Sequence, residues 1–160
     1  MPVKRLPLLQ LGGEESFCLY QSVFDQLYGV DDIYDAKNRL VYFPPNMCRH
    51  VCFHEDESAS DPAIRCLWDQ TRAESLEWAY TALTDPDEIR PNHQFRGNEA
   101  YLLEVLPDQI VAKYPTYYYV SVRPEPKKDR VVFLTGYPVP YSYWKAARRD
   151  NTPIYRRPRR

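Results

Sequence analysis

Glycine is scarce in this chain, with five in 160 residues, and none stands in a GxGxxG or GxxxxGK arrangement. Without such a run, the backbone cradle on which nucleotide-binding loops depend is not encoded. No serine sits in a GxSxG elbow, so a hydrolase triad has no local support. Long hydrophobic runs are missing as well: nothing approaches the roughly 20 apolar residues that span a bilayer. The start, MPVKRLPLLQLGG, has neither a long hydrophobic region nor a small-residue cleavage site. The chain is expected to be soluble and cytoplasmic, with no membrane partner. Cysteine is limited to Cys18, Cys48, Cys52 and Cys66, and a domain that also carries 14 tyrosines and three tryptophans does not need disulfide staples. Reduced thiols are expected.

What is present suffices for one domain, since 44% of the residues are hydrophobic. The net charge of −1 conceals an asymmetry: residues 1–110 hold 9 Lys/Arg against 19 Asp/Glu, and residues 111–160 hold 12 against 3. Part of the positive excess lies in KAARRDNTPIYRRPRR, which shows no apolar periodicity and reads as a basic tail with a mobile Arg/Pro end, removable from Asn151 onward without loss of the fold. Such a tail can hold a polyanion without sequence preference, or simply remain solvated.

The chain reads as three segments, 1–46, 47–140 and 141–160. In residues 1–46, EESFCLYQSVFDQLYG spaces Phe17, Tyr20, Phe24 and Leu27 as an amphipathic helix that stops at Gly29. RLVYFPPNM, cut by a double proline, reads as a short edge strand or an extended loop. In residues 47–140, CRHVCFH is read with a period of two, which puts Val51 and Phe53 on one face and Cys48, His50, Cys52 and His54 on the other. DPAIRCLWDQTRAESLEWAYTALTDPDEI reads as the longest helix, capped by Ser60 or Asp61 with Pro62 in the first turn. AYLLEVL, PTYYYVSVR and RVVFLTGYP are strands, the last two joined by the turn PEPKKD. Residues 141–160 form the basic tail. Helices first and strands afterwards predict an α+β domain with an antiparallel sheet.

Two constellations could carry chemistry. Cys48-x3-Cys52-x-His54 with Cys66 offers ligand types that zinc accepts, but the spacing lacks the paired knuckles of structural zinc sites, so neither metal nor cofactor is assigned. His50 offers acid–base chemistry near neutrality, as RNA transesterification requires. A cation such as Arg123 would stabilise the phosphorane-like charge, and the hydroxyls of Thr135 and Tyr137 would hold phosphate oxygens. If residues 130–138 form a regular strand, Phe133, Thr135 and Tyr137 share one face while Val132, Leu134 and Gly136 share the other. The plain alternative makes Thr135 an ordinary strand residue, Tyr137 a core ring and Arg123 a surface charge at a hairpin end. His54 and His93 lie in polar surroundings and are expected to be exposed.

The order RHV, a helix closing in TDPDEI, then YLLEV, YYYVSVR and VVFLTGYP resembles the phage-associated branch of the barnase/EndoU/colicin/RelE group of ribonuclease-like domains, over about residues 47–140. The resemblance implies a barnase-like antiparallel sheet of about four strands, with helices on one face and substrate on the open face. It also implies a metal-independent endoribonuclease that leaves a 2',3'-cyclic phosphate, of toxin or phage origin. The family histidine falls on His50, the strand-end hydroxyl on Thr135, the aromatic on Tyr137 and, less directly, the basic strand end on Arg123. RNA is then the expected partner, together with a possible neutralising protein. Two other functions stay open: a non-catalytic RNA- or protein-binding module of the same fold that uses Tyr117, Tyr118 and Tyr119, and a zinc-stabilised interaction protein.

Overall fold

The computed structural model describes residues 3–55, 66–107, 116–149 and 151–158. In chain order these form β1 (Lys4–Leu6), α1 (Phe17–Tyr28), β2 (Ile33–Tyr34), β3 (Leu40–Tyr42), α2 (Met47–Cys52), β4 (Phe53–Glu55) and β5 (Cys66–Trp68). There follow α3 (Gln70–Glu74), α4 (Trp78–Thr84), β6 (Glu88–Pro91), β7 (Glu99–Pro107), β8 (Thr116–Glu125), β9 (Arg130–Val139), α5 (Tyr141–Arg148) and β10 (Tyr155–Arg156). None of these helices is long and apolar enough to cross a membrane.

The fold is α+β, but the sheet is not the expected antiparallel one of about four strands. Among the described residues eight strands join it, in the order β10-β6-β7-β8-β9-β3-β2, with β1 also on β7. Two pairings are parallel, β1 with β7 and β3 with β9. The antiparallel centre, β6 to β9, comes from strands contiguous in the chain, of which pattern reading detects β7, β8 and β9 but not β6, whose first residues it assigns to the long helix. The additions come from short N- and C-terminal pieces that find their partners only through the third dimension.

Each face of the centre buries its own core. Tyr101, Leu103, Tyr118, Val120, Val122 and Phe133 face the larger core, to which α1, α2 and α4 contribute Tyr20, Phe24, Cys48, Val51, Trp78 and Leu83. Leu102, Tyr119 and Val139 face a second core closed by Trp144 and Ala147 of α5. The expected helix-free face is therefore covered. Alternation of side chains along β7 and β8 supplies both cores at once.

Four local expectations are corrected. CRHVC is helical, since Cys48, Val51 and Cys52 are buried at helical spacing while Arg49 and His50 point outward. The single long helix is replaced by β5, α3 and α4; its proposed start at Ser60 to Pro62 lies outside the described residues. Asp69 starts a new helix there, its side chain accepting from the Arg72 amide at 3.0 Å. β9 does not alternate regularly, because its register against β8 shifts between Ser121/Thr135 and Val122/Phe133, leaving Leu134 as a bulge. Phe133 consequently joins Gly136 on the larger-core side, while Thr135 and Tyr137 face the other way.

The C-terminal segment is the fourth correction. Trp144 and Ala147 anchor α5, and β10 pairs with β6. The arginines that pattern reading leaves in solvent meet the acidic run at 85–88. Arg157 reaches Asp87 at 2.8 Å, and Arg148 and Arg156 reach Glu88 at 3.1 and 3.5 Å. The charge asymmetry of the sequence is thus partly consumed inside the fold.

Gly136 marks a close approach in the larger core. A Cβ there would lie 3.0 Å from the Tyr118 hydroxyl oxygen, which is fully buried and has no hydrogen-bond partner among the described residues. Burial pushes the Tyr118 phenol well above its ordinary pKa, so the hydroxyl stays protonated and unsatisfied. Tyr118→Phe is expected to raise stability by about 1 kcal/mol, because it removes a desolvated donor that gains nothing in return. Gly136→Ala should cost less in that background than in wild type. Urea midpoints of the four proteins check both; a loss on Tyr118→Phe would show that the hydroxyl does find a partner.

Candidate functional site

β3 pairs with β9 only at Arg130 to Val132. Beyond that, among the described residues, no strand covers this side of β9, and α2 and α3 lie against it instead. An open cleft of about 1120 Å³ forms at this edge, between α2, β4 and α3 on one side and the loop joining β6 to β7 on the other, with Tyr137 at its back.

Pro44 and Pro45 end the extended segment, and Asn46 turns the chain into α2 through a left-handed conformation at φ 64°. With Cys48 and Cys52 buried at a spacing of four, the intervening Arg49 and His50 face the cleft. Arg49 carries its guanidinium 4.6 Å from the centre of the Phe53 ring. No carboxylate pairs with it among the described residues. The position of Phe53 in turn follows from the two-stranded ladder in which it faces Trp68 and His54 faces Leu67.

That ladder also brings His54 to Asp69, which follows β5 directly. The imidazole Nδ1 lies 3.1 Å from Asp69 Oδ2. When Nδ1–H donates to the carboxylate, the neutral ring keeps Nε2 free as a proton acceptor. Asp69 is itself held in place: its amide donates to the Cys52 carbonyl at 2.9 Å and its Oδ1 caps α3. Its Oδ2 further lies 3.4 Å from Arg72 Nε, and the Arg72 guanidinium sits 4.2 Å from the centre of the Tyr137 ring. Two arginines, each seated on an aromatic ring, thus flank two imidazoles.

Comparison of the chain with family models, with curated proteins and with solved structures gives no match. The site has to be read from its own geometry.

Of the residues expected from sequence, His50 and Tyr137 line the cleft and the other two do not. Thr135 faces the same side as Tyr137 but stands opposite Ser121, further along the strand. Arg123 is exposed and pairs in register with Val132, five residues from Tyr137. At the usual strand rise that places it about 16 Å away, towards the β8–β9 turn. Reading by sequence missed Arg49, His54, Asp69 and Arg72. The first two lie beside His50 in the chain, and a helical reading of CRHVC would have put Arg49 next to it on the outward face. Asp69 and Arg72 gave no such signal, because a continuous helix through them hides both the cap and the ladder.

The zinc-ligand set divides. Cys48 and Cys52 sit in the larger core with sulfurs 3.9 Å apart, His54 faces the cleft, and the Cys66 side chain lies outside the described residues. The hydrogen bond with Cys52 and then burial hold the Cys48 thiol far above its ordinary pKa, which disfavours the thiolate that zinc needs. Among the described residues no group of three or more His, Cys, Asp or Glu could hold a metal.

Proposed function

We propose that the cleft is the active site of a metal-independent endoribonuclease. The observation that carries this reading is the meeting of His50 and the His54–Asp69 pair with Arg49 and Arg72 in one cleft. RNA transesterification needs a proton acceptor, a proton donor and fixed positive charge; the two imidazoles and the two arginines supply them, with Asp69 holding one imidazole.

In this reading His54 Nε2 takes the proton from the ribose 2'-hydroxyl as the 2'-oxygen attacks phosphorus. Asp69 holds Nδ1–H and stabilises the imidazolium that forms. The bond from phosphorus to the 5'-oxygen breaks, and protonated His50 gives its proton to that oxygen. The products are a 2',3'-cyclic phosphate and a free 5'-hydroxyl. Arg49 and Arg72 face the non-bridging oxygens, where charge builds in the transition state. Their aromatic seats limit side-chain freedom, so less entropy is lost when phosphate arrives. Arg72 takes the role that sequence reading gave to Arg123, and Tyr137 supports it through its ring face.

The test is incubation of the purified protein with single-stranded RNA in EDTA, followed by analysis of the product ends. Cleavage that persists, leaving a 2',3'-cyclic phosphate at the 3' end of the upstream fragment and a 5'-hydroxyl on the downstream one, is the expected result. A well-folded protein that cuts no RNA would refute the reading.

A further inference from the structure

The loop between β6 and β7 forms one lip of the cleft and presents Phe95, whose surface is 60% exposed. An exposed phenyl ring forfeits the free energy of burial, which for this side chain is about 1.5–3 kcal/mol. Flexible loops commonly tolerate that by letting the ring move, but this loop is tied down. Its neck is closed by the Asn92 amide donating to the Asn98 carbonyl at 2.8 Å and the Asn98 amide donating to the Phe95 carbonyl at 3.1 Å. Asn92, itself buried, uses its whole side chain here. Its Oδ1 accepts from the amides of Gln94 and Phe95 at 2.9 and 3.1 Å, and its Nδ2 donates to Tyr119 Oη and Ser121 Oγ at 2.6 and 3.1 Å. Tyr143 Oη donates to Gln94 Oε1 at 3.0 Å. The backbone under Phe95 is therefore fixed to the central sheet and to α5.

A rigidly mounted, solvent-facing ring in a cleft that also holds Arg49 and Arg72 matches a ligand with a flat apolar face beside a phosphate. We propose that Phe95 is a stacking platform for an unpaired nucleobase, and that the cleft therefore takes single-stranded RNA in preference to duplex; this rests on the reading of the cleft as an RNA site. In a duplex both faces of each base are covered by its neighbours, so the ring has no surface to meet. In a single strand the base can turn onto Phe95 while its phosphate stays with the arginines. Because the loop is already ordered, little conformational entropy is lost on binding.

The probe is a fluorescently labelled 2'-O-methyl RNA, which cannot be cut because its 2'-oxygen is blocked, used as a single strand and annealed to its complement. Wild type is expected to bind the single strand at least about tenfold more tightly than the duplex. Phe95→Ala should weaken single-strand binding by about tenfold, the scale of one lost base stack, and leave duplex binding unchanged. Phe95→Trp should restore it. A 2-aminopurine in the strand should be quenched by wild type and by Phe95→Trp, and not by Phe95→Ala. Equal losses for both forms of RNA, no loss at all, or no preference by wild type would overturn the platform. Failure of the nuclease reading looks different: wild type would bind the blocked single strand with the Phe95 dependence intact yet leave unblocked RNA whole. A wild type that cuts RNA while Phe95→Ala binds unaltered would keep the nuclease and discard the platform.

Discussion

RNA cleavage by the His50→Ala protein is expected to fall by about a hundredfold or more, the scale on which a lost general acid or base is felt. His54→Ala should fall as far, since each imidazole handles a different proton in the same step. Asp69→Asn should fall less: an amide oxygen can still accept Nδ1–H but offers no charge to the imidazolium. The pH–rate profile separates the two histidines, each single variant losing one of the two limbs of the wild-type bell. Folding is a small concern at His50, which is exposed on α2, where Cys48, Val51 and Cys52 are the buried residues. Thermal melts of wild type and variant should coincide. Loss of both fold and activity in EDTA would instead point to a metal. If cleavage survives His50→Ala at near the wild-type rate, that residue has no place in the chemistry.

The largest effect on stability is expected from Arg90→Ala. Arg90 is 4% exposed and ties β6 to the end of α5 and the residues beyond it. Its Nε bonds to Glu88 at 2.7 Å, and its Nη1 donates to the Arg148 carbonyl at 3.0 Å and the Asn151 carbonyl at 2.7 Å. Removing it leaves the Glu88 carboxylate buried with only the more exposed Arg148 and Arg156, and strips two carbonyls of a charged donor. Loss of one partner from a buried pair costs about 3–5 kcal/mol, which urea denaturation will read as a lower midpoint. Arg90→Lys should recover only part of this, because an ammonium cannot reproduce the guanidinium fork. Removal of the chain from Asn151 onward should also destabilise, against the expectation from sequence that the tail is dispensable.

The acid limb carries a second readout of the same network. Burial pushes the Glu88 carboxyl up, and the bonds from Arg90 and Arg148 outweigh this and leave it below its ordinary pKa. A depressed carboxylate contributes stability that is fully present above its unfolded pKa and is lost as pH falls through the folded one. Without Arg90 the effect of burial is less opposed, so the acid unfolding of Arg90→Ala should begin at higher pH. An unshifted acid limb, with a midpoint loss under about 1 kcal/mol, would show that Glu88 is adequately paired by the other two arginines.

The candidate site was half legible in the chain, and the reason lies in segment length. CRHVC spans barely more than one helical turn, too short for periods of 2 and 3.6 to part, so the residues flanking His50 were given the wrong neighbours. His54 and Asp69 are 15 positions apart, and their contact depends on the β4–β5 ladder. Arg72 reaches Tyr137 because, among the described residues, no strand pairs with β9 there on the side away from β8, which is a property of the sheet and not of either residue's surroundings in sequence.

Amino-acid order alone determined α1 with its stop at Gly29, the three long strands β7 to β9, the tight turn between the last two and hence the α+β class. These are local: each follows from side-chain spacing over eight or more residues, or from a turn composition that few other conformations accept. Tertiary structure alone decided that short terminal strands extend the sheet, that Leu134 bulges and turns Phe133 to the opposite face from Tyr137, and that α5 closes the second core. It also decided that the C-terminal arginines serve the acidic run at 85–88. Each of these compares two placements whose local free energies are nearly equal, and the balance is set by a partner distant in the chain, through burial or ion pairing that exists only once the sheet has formed.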